Sequence, residues 1–285
     1  MGLPIIEEKS RTRRQVYEDE VRKVWENIPL EKIDPTHSMN SLLRIERTLT
    51  LLEGHIKIEG SEVADLGCGT GHLASLLAAK GGEITAVDVV QRIHPTFTFV
   101  RACLPYLSLS DSSFDGVVLT DVIAEIEPHL YRLTLSELAR ILKKEGWLIC
   151  STQLDIHSHD AQERFVDLIK TEFEIFDSKK SYHRLHYHLT CWVKAPYRFI
   201  RGGKEEAYRL NLLQKRSGPM RLWFYLNSHR MLSLLWKPIA WIFTPFLHLL
   251  QTNRKFLLFC ENISEILWGS GALTHLIILA RKKKM

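Results

Sequence analysis

"VADLGCGTGHLASLLA", residues Val63–Ala78, decides how the rest of the chain reads. A short apolar run ends at Leu66. Gly67, Gly69 and Gly71 follow at alternate positions, and a helical pattern starts at His72. A strand turning this tightly into a helix presents backbone N–H groups and a helix N-terminus to whatever lies beside it. Glycine tolerates φ > 0, and its missing Cβ lets a ligand approach the main chain. The stretch is therefore predicted to hold something flat or anionic at a strand end.

Two ligands compete for such a loop. A dinucleotide fingerprint, G-x-G-x-x-G, needs glycine at position 72, where this chain has His72. The run instead reads "DLGCGTG", with Asp65 two residues before the first glycine.

Outward from the loop the pattern is regular. Strands are predicted at Glu62–Leu66, Glu83–Val89, Phe97–Ala102, Phe114–Val122, Gly146–Thr152 and Phe173–Ser178. Helices are predicted over 72–80, from about Leu130 to Lys143, and from about Asp160 to Lys170. Apolar strands alternating with helices imply parallel βαβ units in a sheet covered on both faces. Upstream, Val16, Val21, Val24 and Trp25 sit at roughly helical spacing over 11–27, and "DPTHS" (Asp34–Ser38) is a turn before a second helix ending near Leu52.

The run "VADLGCGTG" resembles motif I of the class I S-adenosylmethionine-dependent methyltransferases, a Rossmann-like family. "AVDV" is similar to the end of that family's second strand, "LSLSDSSFDGVV" to the run into its fourth, and "ELARILKKEGWLICST" to the helix, turn and fifth strand that follow. The resemblance covers about Val63 to Thr152, with weaker support to Ser178. It implies an α/β fold with a doubly wound, mostly parallel sheet whose last strand is antiparallel, and S-adenosyl-L-methionine as cofactor.

It also implies roles. The backbone around Gly67, Cys68, Gly69 and Gly71 cradles the methionine part of the cofactor. Asp65 orders the loop near the amino group, and Asp88 takes the ribose hydroxyls. Asp88 stands where a doubly wound sheet places a diol acceptor, at the carboxyl end of a strand beside the switch point; a solvated strand-end acid is the alternative. Many members carry an acid after the third strand that accepts from the adenine amino group. Here that place falls at Cys103, a poor acceptor, so backbone near Cys103 and Leu104 is the expected substitute. Asp121 completes the expected cofactor set.

Methyl transfer from a sulfonium is an in-line displacement in which alignment supplies most of the acceleration. A general base helps when the nucleophile carries a proton. Candidate bases are Glu125, after the fourth strand, and His157, in "STQLDIHSHD". An acid such as Glu125 is more often a helix-start residue facing the macrodipole, and His157 and His159 are more often loop residues. No metal-ligand spacing is present. "YHRLHYH" (Tyr182–His188) lacks an acid or cysteine to complete a set.

Residues 196–271 are not a standard part of such a fold. "RLWFYLNSHRMLSLLWKPIAWIFTPFLHLL" (Arg221–Leu250) is rich in Trp, Phe and Leu, with Pro238 and Pro245 expected to break it. "LIILA" (Leu276–Ala280) is continuously apolar, as a strand covered on both faces should be, so the final strand is placed at about Leu273–Ala280. "LTCWVKA" (Leu189–Ala195) is rejected for that role. The expected organisation is a helical lead over 1–55, the core over 56–195, a helical cap or insertion over 196–271, and the final strand with a basic tail over 272–285. The segment reads as a cap over an apolar, lipid-like acceptor or as ordinary core packing, or its residues 221–250 as an interfacial helix on a membrane.

The chain of 285 residues carries 45% apolar and 25% charged residues, which excludes disorder as the main state. Its formal charge of +5 is read as resting largely on Arg11–Arg14 and Arg281–Lys284, as solvated tails or contacts with an anionic surface. Five widely spaced cysteines without C-x-x-C indicate a reduced compartment. The first residues lack the h-region of a secretory signal. The expected protein is a cytoplasmic enzyme, with membrane association open, that methylates a small and hydrophobic acceptor. Protein or RNA methylation and an inactive binding protein of the same fold are the rivals; no specific nucleic-acid motif is present.

Overall fold

The computed structural model describes residues 12–92, 97–155, 158, 160–202, 218–228 and 233–284. They fall into two compact units. One is drawn from Met1–His37, Arg44–Lys180 and His275–Met285, the other from Ser38–Leu43 and Ser181–Thr274.

The first unit is built on a seven-stranded sheet: β1 (Glu62–Leu66), β2 (Glu83–Asp88), β3 (Thr98–Arg101), β4 (Phe114–Thr120), β5 (Leu142–Gln153), β6 (Phe173–Ser181) and β7 (His275–Lys282). Their order is β3-β2-β1-β4-β5-β7-β6. β1 pairs in parallel with β2 (Glu62↔Glu83 to Leu66↔Val87) and with β4 (Val63↔Gly116 to Asp65↔Val118), and β4 in parallel with β5. β7 runs antiparallel to β5, from Trp147↔Arg281 to Gln153↔His275. Each expected strand is present, shifted by a few residues at its ends.

β7 occupies the slot its composition demands. Leu276, Ile277, Ile278, Leu279 and Ala280 are all buried, each large side chain contributing roughly 2 kcal/mol. "LTCWVKA" is helical instead. The sheet's core cluster joins Leu51 and Leu52 of α3 (Met39–Glu53) and Leu73 and Leu77 of α4 (His72–Ala79) to Trp147 and Ile149.

Two helices complete the layers, α5 (Tyr131–Ile141) and α6 (Ala161–Ile169). A short turn of helix, α2 (Leu30–Ile33), leads into α3. The first helix, α1 (Arg13–Glu26), opens on a capping box: Thr12 accepts the Gln15 N–H, and the Gln15 side chain accepts the Thr12 N–H. Arg13 and Arg14 of the basic run are exposed in the first turn of this helix, and Arg11 lies outside the described residues. The helix's inward face is not the one the valines suggest. Val16 and Val24 are exposed, whereas Tyr17, Val21, Trp25 and, just past the helix, Ile28 are half-buried. The half-buried face is the 17–21–25–28 stripe, which keeps Val21 and Trp25 of the expected set and replaces Val16 and Val24 with Tyr17 and Ile28.

The second unit is helical: α7 (Arg184–Gly202), α8 (Gly218–Ser228), α9 (Ser233–Thr252) and α10 (Arg254–Trp268). α9 continues through Pro238 and Pro245, where a break was expected. Each proline removes one main-chain bond, but Phe243 lies edge-on to Trp192 at 5.1 Å and Leu250 is buried, so tertiary packing holds the helix across both. The histidine-rich run starts α7 in a structural role. His186 Nε2 donates to the Leu250 carbonyl at 2.7 Å, and buried Glu261 accepts the Tyr182 N–H at 2.9 Å.

Candidate active site

Strand order reverses between β1 and β4, so the crevice outside their carboxyl ends is where a doubly wound sheet holds a ligand. The glycine loop crosses this point. Gly67 and Cys68 both donate their N–H groups to the Val87 carbonyl, at 2.7 and 3.1 Å, which lashes the loop to the end of β2. Gly67, Gly69 and Gly71 have φ of 70°, 55° and 72°, in the left-handed region.

The loop's first glycine answers to protein packing. A Cβ on Gly67 would lie 2.3 Å from Val122 Cγ2, and one on Gly69 would lie 3.2 Å from Ile33 Cγ2. Val122, just past β4, thus adds a steric bar at position 67 to that of the left-handed backbone.

Asp65 is buried at the end of β1 and accepts the Ala74 N–H in the first turn of α4. It caps that helix from a distance, since Gly71 offers no side chain to do so. Burial first, then the nearby Asp88 carboxylate, raise its pKa to about 7, against the Ala74 bond that lowers it. Among the described residues its Oδ2 has no hydrogen-bond partner. A buried carboxylate with one open oxygen suits an ammonium group.

Asp88 closes the loop. Its Oδ2 accepts the Gly69 N–H at 2.9 Å and its Oδ1 the Val90 N–H at 3.0 Å. Each oxygen keeps acceptor capacity, so a vicinal diol can still be taken. Cys68, half-buried beside both acids, has its thiol pKa raised by burial and then by Asp65 and Asp88.

At the end of β3, Cys103 and Leu104 are buried, and the Cys103 thiol lies 3.5 Å from the Leu104 carbonyl oxygen. Burial, then Glu18 and Asp88, push the Cys103 thiol up to about 12. α1 lies over this end. The Tyr17 hydroxyl hydrogen-bonds Cys103, its ring meets Tyr106 edge-on at 6.1 Å, and Arg14 donates to the Tyr106 carbonyl at 3.2 Å. Burial, then the Cys103 charge, raise Tyr17 to about 12. Sequence reading missed α1's part here; Tyr17, set between two valines, was the available signal.

A polar cluster marks the β4 edge. Asp121 has φ 59°, accepts from Ser151 Oγ at 3.3 Å and pairs with Arg44. Arg44 Nη1 also lies 3.0 Å from His275 Nε2. Arg44 on α3, Ser151 on β5 and His275 on β7 carried no local motif, because the sheet assembles them from distant parts of the chain. Glu125 is exposed on the 3-10 turn Ile123–Glu125. His157, like His159, lies outside the described residues. No group of three His, Cys, Asp or Glu side chains among the described residues could hold a metal ion.

Comparison with known proteins bears on this geometry. A family profile described as "Methyltransferase domain" matches residues 18–195. A ubiquinone biosynthesis O-methyltransferase of Alkalilimnicola ehrlichii is 29% identical over 160 residues, covering 50% of this chain and 62% of that protein. Its namesake from Paracidovorax citrulli is 28% identical over 131 residues, covering 41% and 52%. The chain thus spans between half and two thirds of the length of these curated relatives. The solved 1,6-didemethyltoxoflavin-N1-methyltransferase of Burkholderia thailandensis superposes with a TM-score of 0.53 at 13% identity, over 100% of this chain and 94% of that one, a likeness of fold alone. The family match runs from α1 through β6, so it contains the glycine loop, the Asp88 closure and the β4 edge together, and the chain belongs to the class I S-adenosylmethionine-dependent methyltransferases.

Proposed function

We propose that this protein transfers a methyl group from S-adenosylmethionine to a small, apolar acceptor. The observation that carries the reading is the Asp88 carboxylate, which fastens the glycine loop through Gly69 while keeping acceptor capacity at the switch point. Asp65 would receive the ammonium group and Asp88 the ribose diol. The loop backbone would lie along the methionine chain, and Tyr17 with the Cys103–Leu104 backbone would border the base. When bound, the cofactor supplies an activated sulfonium methyl, so the protein's task is to align the acceptor.

The names of the curated relatives support an oxygen acceptor, and on a quinone precursor. Asp121, held by Arg44 and Ser151, would shape the acceptor edge. Glu125 is the proposed base for the acceptor's hydroxyl proton, with His157 as the second candidate. Residues 196–271, which begin just past the end of the family match, are proposed to choose a lipid-like acceptor and to bring the protein to a membrane surface.

Transfer of labelled methyl from S-adenosylmethionine to prenylated phenols and catechols, to total protein and to total RNA tests the reading. Label in the phenolic lipids supports it. Label in protein or RNA alone, or no binding of the cofactor by calorimetry, overturns it.

A further inference from the structure

The chain's positive charge is not where its conspicuous clusters suggest. Between Pro196 and Thr274 there are eleven Lys and Arg and four Asp and Glu, a formal +7. The whole chain is only +5, so everything else sums to −2. The excess lies in the segment just beyond the family match at residues 18–195.

The same segment leaves apolar stripes uncovered. On α9, Phe243, Phe246 and Leu250 turn inward, and Pro238, Trp241, Ile242, Pro245 and Leu249 form the opposite, exposed stripe at helical spacing. Trp241 is 79% exposed and Ile242 67%. On α10, Phe259 and Ile266 are 57% and 78% exposed on one stripe, with exposed Lys255 one turn before them. On α8, Leu222, Tyr225 and Leu226 are exposed beside Arg221. Among the described residues of this segment Glu265 is the one exposed acid, because Glu261 is buried. No described helix is long and apolar enough to cross a membrane.

An exposed tryptophan and aliphatic stripes, with Arg221 and Lys255 exposed on the same set of non-spanning helices, match the interfacial zone of an anionic bilayer. We infer that α8, α9 and α10 dock this protein on a negatively charged lipid surface, with the Trp241–Ile242 stripe entering the headgroup boundary and the exposed Arg221, Arg254 and Lys255 meeting lipid phosphates. The inference rests on the lipid-facing reading of this segment and names the surface. A neutral bilayer would offer the +7 no complementary surface charge. A second copy of the chain would bring +7 against +7.

The test uses the full chain and sucrose-loaded vesicles, one set of phosphatidylcholine alone and one of phosphatidylcholine with phosphatidylglycerol. The protein is expected to sediment with the anionic vesicles, to show a blue shift in tryptophan emission, and to be released by salt. The variant Trp241→Ser/Ile242→Ser removes only exposed side chains and should weaken sedimentation roughly tenfold. Arg254→Glu/Lys255→Glu should do so by roughly tenfold or more. Both should bind S-adenosylhomocysteine as the parent does, so lipid docking and cofactor binding are read separately. Three results overturn the inference: no sedimentation with anionic vesicles, equal sedimentation with both sets, or a dimer in solution that the Trp241→Ser/Ile242→Ser variant converts to monomer without any vesicle binding.

Discussion

The amide of Gly69 donates to the carboxylate of Asp88 over 2.9 Å, so the residue that ends β2 also fixes the middle of the glycine loop. Asp88 holds Val90 in the same way, at 3.0 Å. The proposed diol contact and the loop's shape would thus be coupled through one side chain.

Asp88→Ala should therefore cost more than a diol contact. It leaves two loop amides without their acceptor and removes a charge-assisted partner, together about 3 kcal/mol, or roughly a hundredfold in affinity for S-adenosylhomocysteine. Asp88→Asn keeps an acceptor oxygen for one amide and should lose roughly tenfold. Titration calorimetry on the three proteins separates these outcomes. Equal affinity for the parent and Asp88→Ala would remove Asp88 from the site.

Gly67→Ala places a methyl 2.3 Å from Val122 Cγ2 at a residue whose φ is 70°. Two costs combine there: the steric clash, and about 1–2 kcal/mol for a left-handed residue with a Cβ. Val122→Ala should relieve the clash and leave the conformational term. Thermal melts of the single and double variants should then show Gly67→Ala as the least stable and the pair as partly rescued. If Val122→Ala gives no rescue, Val122 is not what keeps position 67 bare.

The difference between what the sequence could and could not reveal follows from distance along the chain. Gly67, Gly69, Asp65 and Asp88 are legible because the loop, its helix and the next strand are consecutive, and their geometry needs particular residue types at fixed spacing. β7 is legible because a strand covered on both faces must be apolar throughout. Arg44, Ser151 and His275 meet Asp121 only after the sheet has formed, and each is unremarkable locally. On α1, valine at positions 16 and 24 satisfies a helical period, while the half-buried stripe runs through Tyr17, Val21 and Trp25, with the Tyr17 ring meeting Tyr106 past β3.

Arg44 should separate chemistry from cofactor binding. It pairs with Asp121, after β4, and lies against His275 on β7. The pair with Asp121 is partly exposed, so Arg44→Met should lower stability by about 1 kcal/mol or less. Asp121, in a left-handed conformation, would keep Ser151 and lose its cationic anchor. The expected outcome is unchanged affinity for S-adenosylhomocysteine with kcat reduced roughly tenfold through misplacement at the acceptor edge. Weakened cofactor affinity with unchanged kcat would place Arg44 on the other side of the crevice.

Asp65 predicts a pH dependence with a definite sign. Its folded pKa of about 7 lies above the ordinary value of 3.8, through burial and then repulsion from Asp88. Between those values the folded chain holds a proton that the unfolded chain has released. The contribution of Asp65 to stability is therefore complete below about pH 4, declines as pH rises, and is lost above about pH 7. Asp65→Asn keeps an oxygen for the Ala74 N–H and should flatten that decline in denaturant melts across this window. An ammonium ligand reverses the preference, because the carboxylate is then the favoured form. Binding of S-adenosylhomocysteine should accordingly release up to one proton at about pH 6, seen as a dependence of the calorimetric heat on the buffer's ionisation enthalpy. Affinity should rise toward pH 7 and level off above it, and Asp65→Asn should show neither the proton release nor the rise. Proton release that persists in Asp65→Asn would assign the titration to another group.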